Sequence, residues 1–65
     1  MATIRLHQSQ RVPSDTRNAY KLLKERNIDA VILENGYFFL LEGDVEKAAE
    51  VLSDAGYSLF AVLHS

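Results

Sequence analysis

The sequence predicts a small α+β domain with four strands and two helices, and three observations support this prediction. Two stretches carry apolar residues at helical spacing, four short stretches have the composition of strands, and an Asn-Gly pair separates the two middle strands. The length of 65 residues indicates a single domain, residues 1–65. Because there is no cysteine, the 48% of hydrophobic residues must stabilise the fold without disulfides or a thiolate metal site.

The first strand is indicated by alternation. In residues 3–8 apolar and polar side chains alternate, with Ile4 and Leu6 on one side, which is typical of a strand that is buried on one face. Pro13 follows, and it lacks the amide hydrogen that a strand ladder needs. The strand should therefore end before Pro13.

The first helix is indicated by a change to three- and four-residue spacing. Apolar residues recur in this way from the region after Pro13 to about Arg26. Ser14 or Asp15 can accept hydrogen bonds from the free amides of the first turn. Asn27 can end the helix in a left-handed conformation.

The two middle strands are predicted to form a hairpin. Residues 30–33 and 37–41 are apolar runs of strand length, and Asn35-Gly36 lies between them. Asn-Gly favours a type I′ turn, because this turn requires positive φ at both central residues. We therefore expect the two runs to pair antiparallel through a type I′ turn.

A second helix and a last strand complete the chain. Asp44 is a candidate N-cap, Gly56 is a candidate glycine for the helix end, and Tyr57 can cover that end. Between Asp44 and Gly56, one helical face carries Val45, Ala48, Ala49, Leu52 and Ala55. Residues 58–65 are expected to form the last strand.

The predicted order is strand, helix, strand, strand, helix, strand. Two crossover units in this order form the ferredoxin-like βαββαβ sandwich, a four-stranded antiparallel sheet with both helices on one face. The sequence therefore predicts this α+β fold.

Three of the four predicted strands are apolar on both faces, which a sheet that is covered on one face does not require. In the third strand, either Tyr37, Phe39 and Leu41 or Phe38 and Leu40 must point away from the helices. A contiguous exposed apolar patch usually marks an interface, so Tyr37 and Phe39 are candidate partner-binding residues. The alternative is that the sheet curls or that a terminus covers it.

The charges are unevenly distributed along the chain. Residues 1–27 have six cations and two acids, a balance of +4, whereas residues 28–65 have one cation and seven acids, a balance of −6. Six acids form the candidate partner-binding surface that we call the acidic set: Glu34, Glu42, Asp44, Glu46, Glu50 and Asp54. Such a surface can occupy a basic groove that holds nucleic acid, and the alternative is an ordinary solvated helix face.

No motif for catalysis or cofactor binding is present in the sequence. His7 and His64 fall on strands that are neighbours in this fold, but a metal site of this type needs three or four ligands. The three glycines build no phosphate-binding loop and no nucleophile elbow. We therefore expect no enzymatic activity, no bound metal and no cofactor.

The last third of the chain resembles one known family. The segment DVEKA at residues 44–48, then Leu52, then DAGY at residues 54–57, resembles the second helix and helix exit of ACT-like regulatory domains. The resemblance implies dimerisation through the sheet or its edge. It also implies amino-acid binding near residues 12–15, a loop that carries Asp15 but no glycine.

The stretch GYFFLL at residues 36–41 is similar to the third-strand motif of RNA recognition motif domains, with Gly36, Tyr37, Phe39 and Leu40 in matching places. This resemblance implies RNA on the sheet. However, Asn35 replaces a cation of that motif, and acids lie where phosphate would bind. We therefore expect no direct contact with nucleic acid.

These patterns together predict a non-enzymatic protein-interaction module. In its small size, its acidity and its lack of motifs, the chain resembles the small acidic inhibitors of phages, including anti-CRISPR proteins. The leading expectation is therefore an inhibitor that blocks a basic nucleic-acid-binding surface of its target. The alternative is an ACT-like module that dimerises and binds an amino acid. The sequence lacks a signal-peptide pattern and the roughly 20 apolar residues of a membrane span, so we expect a cytoplasmic protein. We also expect a monomer rather than a homodimer.

Overall fold

The computed structural model describes residues 1–64, except for the side chains of Phe60, Ala61 and His64. Two parts of the sequence predictions therefore lie outside the described part: the side chain of His64, and Ser65 as the last residue of the predicted strand 58–65. The elements in chain order are β1 (Ala2–Leu6), α1 (Pro13–Glu25), β2 (Ala30–Glu34), β3 (Tyr37–Leu40), α2 (Val45–Asp54) and β4 (Leu59–His64). Short 3₁₀ turns lie at Gln8–Gln10 and Glu42–Asp44.

The four strands form one antiparallel sheet in the order β2-β3-β1-β4. The first and third strands are therefore central, and β2 and β4 are the edges. With one helix after β1 and one after β3, this is the ferredoxin-like arrangement. The predicted fold class is confirmed.

One apolar cluster fills the space between the sheet and the two helices. Its buried members are Ile4, Leu6, Ala19, Leu23, Ile28, Ala30, Phe38, Leu40, Ala48 and Leu52. Side chains of both helices meet side chains of three strands in this cluster, so both helices lie on the same face of the sheet. Full burial of a large apolar side chain stabilises the fold by about 1.5–3 kcal/mol, which explains how so short a chain holds together without disulfides.

Helix α1 begins two or three residues earlier than the capping prediction implied. Pro13 is the first helical residue, so Ser14 and Asp15 lie inside the first turn, and neither is the N-cap. Proline fits this position because its φ is fixed near the helical value and its missing amide hydrogen has no acceptor there. The hydroxyl of Thr16 donates to the carbonyl of Val12 at 3.1 Å and thereby fastens the first turn.

Both helices end as their sequences predicted. Asn27 has φ +60° after α1, and the amide of Ile28 donates to the carbonyl of Leu23 at 3.0 Å. Gly56 has φ +90° after α2, and the amide of Tyr57 donates to the carbonyl of Leu52 at 2.8 Å. Each end is a Schellman motif with an apolar contact across it. At the start of α2, Asp44 occupies the N-cap position, as predicted, but its side chain makes no capping hydrogen bond.

The hairpin between β2 and β3 forms, but the predicted type I′ turn is wrong. Gly36 has φ +82°, whereas Asn35 does not have the positive φ that a type I′ turn requires. The register shifts between Ile32, which pairs with Phe38, and Glu34, which pairs with Tyr37, so one extra residue bulges out of β2. A bulged hairpin needs a left-handed residue at only one position, and glycine supplies it.

Candidate protein-interaction surfaces

The face of the sheet opposite the helices carries a row of side chains that runs across all four strands. Thr3 pairs with Leu63 on one side and with Phe39 on the other, and Phe39 pairs with Val31. Residues that are directly opposite in a sheet share a face, so these four side chains form one line, which we call the outer row. Val31 is 59% exposed and Leu63 is 58% exposed, so its two ends are open to solvent.

The two candidate aromatic residues of β3 lie on this open face. Tyr37 and Phe39 are half-buried, whereas Phe38 and Leu40 are buried in the core. The structure therefore decides between the two groups that the sequence left open. Leu41, directly after β3, is 52% exposed.

Tyr37 is held by two arginines. The guanidinium carbon of Arg5 lies 5.7 Å from the centre of its ring, and that of Arg11 lies at 5.3 Å, both within the range of a cation–π contact. Arg11 also donates from Nε to the carbonyl of Leu6 at 2.9 Å, which fixes its position. The part of the open face around Tyr37 is therefore cationic and aromatic, in contrast to the apolar outer row.

A groove of about 310 Å³ lies beside the outer row, at the edge strand β2. Its lining consists of Met1, Lys24, Asp29, Ala30, Val31, Phe39, Leu40 and Leu41. The ammonium of Lys24 lies 3.4 Å from the carboxylate of Asp29. Interaction with Tyr20, and to a smaller extent with Asp29, raises the pKa of Lys24 above its ordinary value. The groove does not include residues 12–15, where the ACT-like resemblance implies an amino acid.

Helix α2 presents a stripe of three carboxylates. Glu46, Glu50 and Asp54 are four residues apart and all three are exposed, and we call them the helix stripe. Among the side chains that the structure describes, no cation lies within ion-pair distance of any of the three. Glu42 and Asp44 precede the stripe in the turn that leads into α2, and Glu42 lies 3.9 Å from the amino group of Met1.

The sixth member of the acidic set lies elsewhere. Glu34 ends the edge strand β2, whereas α2 packs against α1 and the opposite edge strand β4. The structure thus brings five carboxylates together along one path and leaves Glu34 on the far side of the sheet. Sequence position could not reveal this separation, because it depends on the order of the strands.

The basic half of the sequence lies beside the acidic half. Helix α1 packs against α2, and its exposed cations include Arg17, Lys21 and Lys24. The two helices of one layer therefore carry opposite charge. Lys24 lines the groove at the edge strand β2, whereas α2 packs against the opposite edge strand β4, so this cation does not border the helix stripe.

No side-chain cluster suited to a metal ion is found among the described residues. The ring of His7 lies 2.8 Å from the hydroxyl of Ser9, and the side chain of His64 lies outside the described part. None of the described helices is both long enough and apolar enough to span a bilayer.

Comparison with known proteins gives no relative for this chain. No protein-family model, curated protein or solved structure matches it. Neither the ACT-like resemblance nor the likeness to anti-CRISPR proteins is tested by these comparisons, and both stay predictions.

Proposed function

We propose that this protein is a non-enzymatic inhibitor that acts in the cytoplasm and binds a basic, nucleic-acid-handling protein through its acidic helix α2. In this proposal the carboxylates take the place of nucleic-acid phosphates in a basic groove of the target. The proposal resembles the mode of action of small acidic phage inhibitors such as anti-CRISPR proteins.

The observation that carries the proposal is the exposed helix stripe. Glu46, Glu50 and Asp54 project from one helix and have no ion-pair partner among the described side chains. Like charges at this spacing destabilise a helix by about 0.2–0.5 kcal/mol per pair, so the arrangement has a cost to folding. Binding to a cationic surface offsets that cost.

The binding surface in this proposal consists of the helix stripe with Glu42 and Asp44. Glu34 is left out, because it lies at the opposite edge of the sheet. Tyr37 and Phe39 also face away from the helix layer, so one flat target surface cannot contact both them and α2. A contribution from these aromatic residues requires a second contact area.

The proposal is tested on purified guide-loaded CRISPR effectors of several types. The affinity of each effector for its target DNA is measured by gel shift with and without the chain. We expect the DNA affinity of at least one effector to fall by about tenfold or more, and the double reversal Glu46→Lys with Glu50→Lys to abolish this inhibition. Each reversal changes the charge by two units, so the net charge of the chain goes from −2 to +2.

A control variant separates the position of the charge from its amount. The substitutions Gln8→Lys, Asn18→Lys and Glu25→Lys give the same change in net charge at exposed positions outside α2. This variant should still inhibit. Equal inhibition by the wild-type chain and the stripe variant, or no inhibition of any effector, contradicts the proposal.

The ACT-like alternative stays a prediction that no observation on residues 12–15 favours. It is checked by heating the protein with each common amino acid. A ligand that binds the folded state raises the melting temperature, and the absence of any shift argues against this alternative.

A further inference from the structure

The outer row is an apolar surface that the described part of the chain leaves uncovered. Val31 and Leu63 are more than half exposed at its two ends, and Phe39 lies half-buried between them. Leu41, which is 52% exposed directly after β3, lines the groove together with Val31 and Phe39 and extends the apolar area. Connected apolar area of this kind on a small protein marks an interaction surface.

In contrast to the monomer expected from the sequence, we propose that this surface binds a second copy of the chain, sheet against sheet, about a two-fold axis that runs parallel to the strands between β1 and β3. Such an axis reverses the strand order, so β2 lies on β4 of the other copy and β3 lies on β1. Each Val31 then faces Leu63 of the other copy, and each Phe39 faces Thr3. Every contact occurs twice, as a two-fold interface requires.

The charged residues of this face fit the same axis. Arg5 pairs with Tyr37, which pairs with Glu34, so these three form a second row beside the outer row. The axis places each Arg5 on Tyr37 of the other copy, with Glu34 on the adjoining strand. Arg5 already lies over Tyr37 of its own chain, and the interface adds an opposite charge near it, the carboxylate of Glu34 of the other copy.

The other two-fold arrangement is poorer. An axis perpendicular to the strands exchanges the two rows, so Val31 would face the carboxylate of Glu34 and Phe39 would face Tyr37. That arrangement sets a charge against an apolar side chain at two symmetric places, and burying an unpaired carboxylate there is costly. The pattern of the face therefore favours the axis parallel to the strands over a perpendicular axis midway between the two rows, and the mixing experiment below separates it from the remaining perpendicular axes.

The small area of the face predicts a weak dimer. Four strands about 4.8 Å apart and about five residues long give a face of roughly 19 by 16 Å. Two such faces bury less than the roughly 1,200 Å² of a standard interface, so we expect a weak dimer that dissociates readily. In this dimer both helix layers point outward, and the two helix stripes remain exposed on opposite sides.

The test is the mass of the purified chain by sedimentation equilibrium between about 10 µM and about 1 mM. We expect the average mass to rise with concentration from 7.3 kDa towards twice that value. Val31→Glu and Leu63→Lys should each weaken self-association by about 100-fold or more, because each substitution acts twice in the dimer. Both positions are exposed, so the fold should persist, and circular dichroism checks this.

A mixing experiment identifies the axis. When the Val31→Glu and Leu63→Lys variants are mixed, the axis parallel to the strands sets the introduced carboxylate of one chain against the introduced ammonium of the other. A mixed dimer should then form although neither variant dimerises alone. Val12→Glu is the matched control, since Val12 is 48% exposed but lies outside the sheet, and it should dimerise normally. A constant mass of 7.3 kDa for the wild-type chain, a dimer that Val31→Glu does not weaken, or no rescue on mixing overturns the proposal.

Discussion

The hydroxyl of Thr16 accepts a hydrogen bond from the amide of Gly36 at 2.7 Å, although the two residues are 20 positions apart. Thr16 is only 3% exposed, and its hydroxyl also donates to the carbonyl of Val12 at 3.1 Å. The carbonyl of Gly36 accepts from the amide of Leu6 at 2.8 Å. One buried side chain therefore ties the start of α1 to the hairpin, and the hairpin is tied in turn to the end of β1.

Replacing Thr16 by valine should lower the free energy of unfolding by about 1–3 kcal/mol, because the buried amide of Gly36 loses its acceptor while the volume of the side chain is kept. Urea denaturation measures the change. Thr16→Ser keeps the hydroxyl and loses only a methyl group, so it should be the milder variant. Equal stability of wild type and Thr16→Val would mean that water replaces the hydroxyl.

Gly36→Ala should be more costly than Gly56→Ala. Both glycines have positive φ, which costs a non-glycine residue about 1–2 kcal/mol. A Cβ atom at Gly36 would also overlap the side chain of Arg11, whereas one at Gly56 would meet nothing within 4 Å. Gly56→Ala therefore measures the conformational term alone.

A double-mutant cycle tests the cause of this difference. In an Arg11→Ala background the overlap with Cγ and Cδ is removed and only the Cβ atom of residue 11 stays close, at 3.0 Å, so most of the extra cost of Gly36→Ala over Gly56→Ala should disappear. Thermal or urea unfolding of the four proteins gives the coupling. A Gly36→Ala cost that persists after Arg11 is truncated would show that the backbone, and not Arg11, resists the change.

The element order and both helix ends could be predicted because they depend on local chemistry. Periodicity gave the strands and helices, and Asn27 and Gly56 adopt the left-handed conformation that short-range reasoning assigned to them. The turn type failed because tertiary contacts decide it. Both backbone groups of Gly36 are bound by distant residues, Leu6 and Thr16, and no pattern within residues 30–41 reports those bonds.

The candidate surfaces were predictable in composition but not in layout. The spacing of Glu46, Glu50 and Asp54 places them on one side of α2, as a helix requires. The position of Glu34 depends on strand order. The choice between the two groups in β3 depends on register, because shifting a strand by one residue exchanges its two faces.

The register itself gives a third prediction. Phe38→Ala removes a fully buried ring, and such a change costs about 3–5 kcal/mol, which approaches the whole stability expected of a 65-residue domain. Phe39→Ala removes a half-buried ring on the open face and should leave the domain folded. Far-ultraviolet circular dichroism and amide spectra of the two variants separate them. An unfolded Phe39→Ala beside a folded Phe38→Ala would mean that β3 presents its other face to the helices.

The like charges of the helix stripe should lower the free energy of unfolding of the free protein, and substitution of Glu50 measures this effect. It lies four residues after Glu46 and four before Asp54, so Glu50→Gln removes two like-charge pairs of about 0.2–0.5 kcal/mol each and only one favourable pair of that size, with Lys47 three residues before it. Glu46→Gln removes only one pair. It also loses the favourable interaction of a carboxylate with the first turn of α2, worth about 0.3–1 kcal/mol.

Glu50→Gln should therefore raise the free energy of unfolding, whereas Glu46→Gln should leave it unchanged or lower it. Urea denaturation at low salt measures both, and the gain from Glu50→Gln should shrink in about 1 M NaCl, where the Debye length is only about 3 Å. A stabilisation that salt does not reduce would have to come from helix propensity instead of charge. A loss of stability in Glu50→Gln would mean that this carboxylate has a favourable contact in the free protein, and the stripe would then need no partner to account for it.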